Sequence, residues 1–365
     1  MKAKIISFLV MVVACTSLNA REWGPADPEA TPEAKALFQR LLKLQKKGTM
    51  YGHQDDLMTG RTWWNEKDRS DTKEAVGDYP GVAGFELGEL ELGYKLSLDS
   101  IAFNDISERI RWFHEQGGII TISWHVVNPV SSQWPGIKEP NGAGSAWDVS
   151  MLSADGLNAV RSVLPGGENH AMFNSWLKRL SMFFHTLRDK DGTQIPFIFR
   201  PYHEHSGTFF WWGSERCTDE EYAALWRYTV DFLRKDGHHN ILYAYNTDKV
   251  YSAEEYLLGY PGDDYIDMLS IDWYGKGEEF NANVDKALEF TTRLAKDKKK
   301  LHALSECGPL STDLWNILSK YESSYVLTWR HIPPKKNHPQ RTSDHDDQLR
   351  QMKSSGEYLF LEDIR

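Results

Sequence analysis

Two glutamates in this chain stand in surroundings that suit acid–base chemistry. Glu204 lies in the segment RPYHEHSGTFFWWG (200–213), which places two histidines, an arginine and five aromatic rings around it. Glu306 lies roughly a hundred residues later, in SECG (305–308). Hydrolysis of a glycosidic bond needs such a pair, because one carboxyl must protonate the leaving oxygen while the other acts on the anomeric carbon. The two glutamates are therefore our catalytic candidates.

The neighbours of the two glutamates predict different protonation states. Glu204 sits among aromatic rings and beside His203, which suits a raised pKa and the role of a general acid. Glu306 is expected to accept a hydrogen bond from Tyr274 and to feel the charge of Arg200 or Arg330, which suits an ionised nucleophile.

The histidines of the same segment leave a metal site as an alternative. His203 and His205 form an H-x-H pair, and His53 and His125 stand at the ends of other candidate strands. Alternate residues of a strand share a face, so both rings of an H-x-H pair can reach one ion. No H-E-x-x-H, G-x-S-x-G, P-loop or G-x-G-x-x-G pattern is present. We therefore expect no metal and no cofactor, with a metal hydrolase as the rival.

The elements that must position these residues follow an alternating pattern. Short apolar or β-branched runs alternate with longer amphipathic stretches, including 99–116, 171–189 and 219–236. The candidate strands are 49–54, 81–87, 118–126, 195–204, 241–248, 266–275, 302–308 and 325–330.

Eight strands with intervening helices predict a single-domain (β/α)8 TIM barrel. Six of the eight runs end in polar residues, which suits a barrel because its chemistry lies at the carboxyl ends of the strands. Glu204 ends the fourth run and Glu306 the seventh, so the glutamates are expected to face each other across the mouth, about 5–5.5 Å apart. The polar strand ends are His53, His125, His203–Glu204, Asp248, Asp272–Tyr274 and Glu306.

A long loop-like stretch, from Val127 to about Gly167, follows the third strand and is expected to lie on the catalytic face. Its Trp134 and Trp147 either line a cleft or anchor the loop to the barrel.

Composition limits the partners and the compartment. The formal charge of −10 disfavours a nucleic-acid partner, which requires a basic face. Residues 1–20, with two lysines, a short apolar run and LNA, predict a signal peptide, leaving 21–365 as the mature domain. VVAC offers the alternative of a lipoprotein anchored through Cys15, so the chain is expected to be secreted, periplasmic or held at the outer membrane. No run is long enough to span a bilayer.

These motifs together resemble glycoside hydrolase family 26, a family of β-mannanases. The resemblance rests on RPYHEHSGTFFWWG and SECG, and extends over most of the mature chain. It includes YGHQ (51–54), SWHVVNP (123–129), YPGDDYIDMLSIDWYG (260–275) and VLTWR (326–330).

The resemblance implies a role for each matching residue. Glu204 would be the acid/base and Glu306 the nucleophile of a retaining β-1,4-mannan hydrolase that needs no cofactor. Phe209 stands where the family often has tryptophan, and its ring can still stack on the face of a sugar. The remaining substrate-binding candidates are His125, His203, Phe209, Trp212, Tyr274, Trp329, Arg330 and Trp147.

Several alternatives stay open at this point. The same barrel can act on a mixed-linkage glucan or a xylan, or bind mannan without cutting it. Endo and exo action are not distinguished, although the segment 88–100 and the long loop after the third strand are candidate walls for one end of the cleft. Arg200 and His205 are expected to be structural, as is one of Trp211 and Trp212. A monomer is expected, and the pairing of Cys217 with Cys307 is undecided.

Overall fold

The structure, a computed structural model, describes residues 22–131, 144–330 and 343–365. The predicted signal segment, Cys15 and Trp134 lie outside these ranges.

Parallel strands form a closed barrel, as predicted. Each strand pairs with its sequence neighbour, and the pairing of the eighth strand with the first closes the ring. A further two-residue strand, β9 (Tyr358–Leu359), adds to the outside of the first. The barrel strands are β1 (Thr49–Gln54), β2 (Val82–Glu86), β3 (Ile119–Trp124), β4 (Phe197–Pro201), β5 (Ile241–Thr247), β6 (Met268–Trp273), β7 (Leu301–Cys307) and β8 (Tyr325–Thr328).

Helices connect the strands and cover the barrel. All residues of the eight barrel strands are buried, which fits a parallel sheet that is covered on its outer face and filled on its inner face. Short 3-10 turns occur at Leu90–Leu92 and Asp263–Tyr265. The helices are α1 (Pro32–Leu44), α2 (Asp71–Val76), α3 (Phe103–Glu115), α4 (Ala159–Val163), α5 (His170–Thr186), α6 (Asp219–Lys235), α7 (Ala253–Tyr256), α8 (Glu278–Lys298), α9 (Thr312–Leu318), α10 (Ser343–Ser355) and α11 (Leu361–Ile364).

Helix α6 illustrates how the local sequence sets an element. Its first turn carries a capping box, in which the Thr218 hydroxyl accepts from the Glu221 amide and the Glu221 carboxylate accepts from the Thr218 amide. The apolar face of this helix is buried at Tyr222, Trp226 and Leu233, whereas Phe232 is only partly buried. The capping box fixes the start of the helix, and the apolar face holds it against the barrel.

A β-bulge interrupts the regular register of β7. Ile271 of β6 pairs with Leu304, but the next residue, Asp272, pairs with Glu306. Ser305 is therefore an extra residue relative to β6. On the other side, Leu304 pairs with Val326 and Cys307 with Thr328, so the shift is present there too. A bulge of this kind redirects the side chains that follow it.

Local contacts hold the described residues of the loop after β3. Its base is closed by a hydrogen bond from the Asn128 amide to the Gly144 carbonyl, and it ends with α4.

Cys217 and Cys307 are both buried and no disulfide joins them. Among the described helices, none combines the length and apolar character that crossing a membrane requires.

Candidate active site

Glu204 lies three residues beyond the end of β4, in a backbone conformation that residues other than glycine rarely adopt. Its φ is 55°, in the left-handed region, and Tyr202 two residues earlier has φ 47°. These angles end the strand at Pro201, three residues before the predicted end. The Glu204 amide donates to Oδ1 of Asn246 at 2.7 Å, which holds this turn in place.

Glu306 is held by one donor on each carboxylate oxygen. Nη2 of Arg200 donates to Oε2 at 2.7 Å, and the Tyr274 hydroxyl donates to Oε1 at 2.5 Å. The two contacts fix the orientation of the carboxylate. Burial and the neighbouring Glu306 together raise the pKa of Tyr274, so the phenol keeps the proton that it donates. The structure thus gives Glu306 the surroundings that the sequence predicts for a nucleophile.

Arg200 is the structural partner that the sequence predicts. Its guanidinium spans two carboxylates, because Nη1 also donates to Oδ2 of Asp272 at 2.5 Å. Burial alone would lower the pKa of Arg200, but Asp272 and Glu306 raise it above its ordinary value. Burial raises the pKa of Asp272 to about 8, and the Arg200 charge opposes that rise. One buried cation therefore holds both carboxyl groups in place.

Asn246 connects the two halves of the site. Its side-chain oxygen accepts from the Glu204 amide, while its Nδ2 donates to Oδ1 of Asp272 at 2.7 Å and to the Ser305 hydroxyl at 2.8 Å. The Ser305 hydroxyl in turn donates to the same Asp272 oxygen at 2.7 Å. One buried amide thus bridges the turn that carries Glu204 and the bulge that precedes Glu306.

The two candidate catalytic carboxyls lie close together. Glu204, Asp272 and Glu306 each have a carboxylate oxygen within 4.8 Å of the others. Burial raises the pKa of Glu204 well above its ordinary value, and the negative charges of Glu306, Asp272 and Asp248 raise it further, with Arg200 opposing them. Two carboxyls with different environments in one site have the properties of an acid and a nucleophile.

A cleft of about 340 Å³ opens above the two glutamates. Six of the eight substrate-binding candidates line it, and Trp147 is the most open of them, with 46% of its surface exposed. The Trp147 ring stacks on His125, with a centroid distance of 4.9 Å. Trp147 therefore lines the cleft while its ring also packs against the barrel mouth. The six candidates are His125, Trp147, His203, Phe209, Tyr274 and Trp329.

The other two substrate-binding candidates, Trp212 and Arg330, do not line this cleft. Trp212 is predicted to bind substrate, but its indole is fully buried, donates to the His203 carbonyl at 2.8 Å and stacks on Phe210. No face of Trp212 is open to a sugar, so we correct that prediction to a packing role. Trp211 is also fully buried. Arg330 lies outside the cleft lining and pairs with Asp99 at 2.7 Å, so its contact with substrate stays a prediction.

The H-x-H pair does not converge on one point. Nε2 of His203 lies 3.1 Å from Nε2 of His125, whereas the two ring nitrogens of His205 lie 3.0 and 2.9 Å from the backbone carbonyls of Asn246 and Leu258. His205 is therefore structural, as the sequence predicts. The two rings of the pair do not form the zinc site of the rival hypothesis, because Nε2 of His203 faces His125 while both nitrogens of His205 face backbone carbonyls.

Two other clusters in the described residues have metal-ligand character. The first consists of Glu204, Asp272 and Glu306, where the Arg200 guanidinium already supplies the positive charge. The second consists of His185, Asp236 and His238, where the Lys178 ammonium lies 2.9 Å from both Asp236 oxygens. A protein cation therefore already binds carboxylate oxygens in each cluster, those of Asp272 and Glu306 in the first and those of Asp236 in the second.

Three functional residues were not anticipated from the sequence in their observed roles. Asn246 is buried inside β5 and connects the site, and Glu86 ends β2 and contacts His125 at 2.7 Å. Lys249 lines the cleft next to Asp248. Glu86 could have been found from the sequence, because it is a polar residue at the carboxyl end of a strand, as the predicted site residues are.

The electrostatic role of Asp248 gives a testable pH dependence. Its negative charge raises the pKa of Glu204, so Asp248→Asn should make Glu204 ionise more readily. Activity that needs protonated Glu204 is lost as pH rises through its pKa. We therefore expect the alkaline limb of the kcat/KM profile to move to lower pH, by about half a unit to one unit. Exposed Glu322, outside the cleft lining, supplies the control Glu322→Gln; an unshifted limb in Asp248→Asn contradicts the assigned role.

The fold and the site together define a class: a (β/α)8 barrel with two glutamates at the carboxyl ends of its fourth and seventh strands is a glycoside hydrolase architecture. The sequence matches the family described as Glycosyl hydrolase family 26 over residues 26–346. The chain belongs to this family, which confirms the resemblance seen in its motifs.

Known relatives agree with this assignment. The structure titled as a GH26 β-mannanase from Bacteroides ovatus is 38% identical, covers 91% of this chain and 96% of its own, and superposes with a TM-score of 0.82. The catalytic domain of an endo-β-1,4-mannanase from Bacillus sp. JAMB-750 is 28% identical, with coverage of 94% and 95% and a TM-score of 0.82. A mannan endo-1,4-β-mannosidase of Bifidobacterium adolescentis is 31% identical over 80% of this chain, which spans only 28% of that relative's length.

Proposed function

We propose that this chain is an exported β-1,4-mannan hydrolase that cleaves with retention of configuration. The observation that carries the proposal is the approach of a Glu204 oxygen to within 4.8 Å of a Glu306 oxygen. Retaining glycosidases hold their two carboxyls about 5–5.5 Å apart, whereas inverting enzymes leave room for a water molecule at about 6.5–9.5 Å. The close spacing suits direct attack by one carboxylate.

The first step would transfer the sugar to the enzyme. A Glu306 oxygen attacks the anomeric carbon and forms an ester bond, while the bond to the leaving oxygen breaks and that oxygen takes the Glu204 proton. Arg200 and Tyr274 hold the nucleophile in place throughout. The raised pKa of Glu204 keeps its proton available at neutral pH.

The second step would release the sugar. Glu204, now ionised, removes a proton from water, and the water oxygen attacks the anomeric carbon from the side that the leaving group vacated. The ester bond to Glu306 breaks, and the carboxylate returns to its starting state. Two inversions at the same carbon give net retention. Glu204 thus regains a proton from water in place of the one that left with the first product, and both carboxyls end the cycle in their starting states.

Mannan is the favoured substrate because similar proteins carry that activity in their names, including those of Bacteroides ovatus and Bifidobacterium adolescentis. The stacked Trp147 and the half-buried Phe209 offer rings that suit the faces of a sugar. The pairing of Asp99 with Arg330 joins the loop after β2 to the end of β8. We propose that this contact forms part of a wall at one end of the cleft, which bears on endo or exo action.

Product analysis tests the proposal directly. Mannan, mixed-linkage glucan and xylan are each incubated with the enzyme, and the anomer formed first is identified by proton NMR before mutarotation. The proposal predicts rapid cleavage of mannan and a β-anomer as the first product. A first product of the α-anomer contradicts retention, and faster cleavage of glucan or xylan contradicts the substrate. The products at early times distinguish endo from exo action, since a ladder of oligomers means endo action and mannobiose alone means exo action.

A further inference from the structure

A chain of three buried side chains runs beneath the cleft, from Glu86 through His125 to His203. Glu86 ends β2, and its Oε2 lies 2.7 Å from Nδ1 of His125. The other ring nitrogen of His125 lies 3.1 Å from Nε2 of His203. His203 directly precedes Glu204, and His125 stacks on Trp147. The chain therefore links a buried carboxyl to two parts of the cleft wall.

Glu86 is fixed as an acceptor by its other contacts. Its Oε1 accepts from the backbone amides of Gly88 and His125 at 2.6 and 2.8 Å, and its Oε2 also accepts from the Ser123 hydroxyl at 2.5 Å. Burial alone would raise the pKa of Glu86, but its contacts with His125 and Ser123 lower it to about 2. An ionised carboxylate has no proton to give, so Nδ1 of His125 must be the donor in their contact.

The surroundings of His203, at the other end of this row of side chains, independently indicate which nitrogens carry the protons. Nδ1 of His203 is buried and has no hydrogen-bond partner among the described residues. A buried N–H without an acceptor is rarer in proteins than a buried acceptor without a donor, so this nitrogen is expected to carry a lone pair. Burial and the charge of Arg200 lower the pKa of His203 well below its ordinary value, so the ring is neutral. Its single proton is then on Nε2, which donates to His125.

We propose that Glu86 is a positioning residue that fixes the proton order of both histidines: Nδ1–H on His125 and Nε2–H on His203. Both ends of the chain require this order, and each contact then has one donor and one acceptor. The order holds both rings in one orientation at the cleft. The part of the proposal that concerns substrate rests on the proposed function, whereas the proton order does not.

Glu86→Gln should reverse the donor and acceptor roles in both hydrogen bonds, from residue 86 to His125 and from His125 to His203. The two backbone amides at Oε1 require an oxygen there, so the new Nε2 must replace Oε2 and point its hydrogens at Ser123 and His125. The Ser123 hydroxyl can turn to donate to the Phe85 carbonyl, which it already approaches at 3.3 Å. Nδ1 of His125 must become an acceptor, which moves its proton to Nε2 and drives the proton of His203 to Nδ1. A buried N–H then lacks a partner.

Glu91→Gln is a matched control. Glu91 is also fully buried, follows β2 by a few residues and accepts from Trp124 and from the Val127 amide, at 2.9 and 2.7 Å. Its replacement by glutamine creates a similar clash of donors, but within the part of the chain that the structure describes no hydrogen bond joins the Glu91 side chain to a histidine. Any general loss of stability should therefore affect both variants, while a change of proton order should affect only Glu86→Gln.

The test is long-range proton–nitrogen correlation NMR on the full chain with ¹⁵N-labelled histidine, at about pH 8, above the ordinary pKa of histidine. Signals are assigned through His125→Asn and His203→Asn. In the wild type, the protonated nitrogens should be Nδ1 of His125 and Nε2 of His203. In Glu86→Gln both should switch, and kcat/KM on mannan should fall about tenfold, while Glu91→Gln keeps the wild-type pattern.

Two outcomes overturn the proposal. The first is a wild-type spectrum with a proton on Nδ1 of His203, and this measurement needs no variant to fold. The second is an unchanged proton order in Glu86→Gln. If the chain does not hydrolyse mannan, the spectra still decide the proton order, so failure of the proposed function and failure of this inference are distinguishable.

Discussion

Glu306→Gln is expected to abolish turnover on mannan, with a loss of about four orders of magnitude or more in kcat. An amide is a very poor nucleophile, so the ester to the sugar cannot form. Geometry adds to the loss, because both oxygens of Glu306 accept hydrogen bonds, from Arg200 and Tyr274. The amide nitrogen must face one of these donors. Initial rates of reducing-sugar release measure the effect.

The fold should survive this substitution. Arg200 keeps its contact with Asp272, so its buried charge retains a counterion. Circular dichroism and a cooperative thermal transition similar to that of the wild type would verify this. A folded Glu306→Gln variant that cleaves mannan at the native rate would rule out Glu306 as the nucleophile and, with it, the proposed mechanism.

Glu204→Ala is expected to separate the two halves of the reaction. Cleavage of mannan should fall by about 10³- to 10⁴-fold, because the sugar leaving group needs a proton. An aryl mannobioside with a highly acidic phenol as leaving group does not need that proton. Its first step should continue at a rate near that of the wild type, so the glycosyl-enzyme accumulates after a burst of phenol release.

Added azide sharpens the same experiment. Alanine leaves space beside the anomeric carbon, and a small anion there can attack the glycosyl-enzyme without a general base. We expect faster turnover of the aryl substrate and a β-glycosyl azide as product. An equal loss of rate on mannan and on the aryl substrate, with no effect of azide, would contradict the assignment of Glu204 as the acid/base.

The barrel follows from sequence because its signal is repeated eight times. The run at 49–54 coincides with β1, and the others agree within a few residues. The largest error is at β4, where the run 195–204 continues three residues past Pro201. The left-handed conformation of Tyr202 and Glu204 ends that strand, and hydropathy carries no information about it. Strand β9 was missed because two residues show no period.

The site was predictable where chemistry coincides with a strand end. Glu204 and Glu306 satisfy that condition, and the structure brings their carboxyls together. Asn246 does not, because it lies within β5 and its four contacts join residues far apart in the chain. Trp212 failed for the opposite reason. Its sequence position suits a sugar platform, but only packing against Phe210 and the His203 carbonyl decides which way the ring turns.

Because of the bulge in β7, the direction of the Glu306 side chain depends on the number of residues that precede it in the strand, rather than on the identity of their side chains. In an uninterrupted strand, consecutive side chains face opposite sides, yet Ser305 reaches Asp272 and Glu306 reaches Arg200 in the same cluster. Deleting one residue at this point would restore the alternation and offset the carboxylate from both of its donors. The seventh strand should thus tolerate many replacements before Ser305, but no change in the number of residues that lead to Glu306.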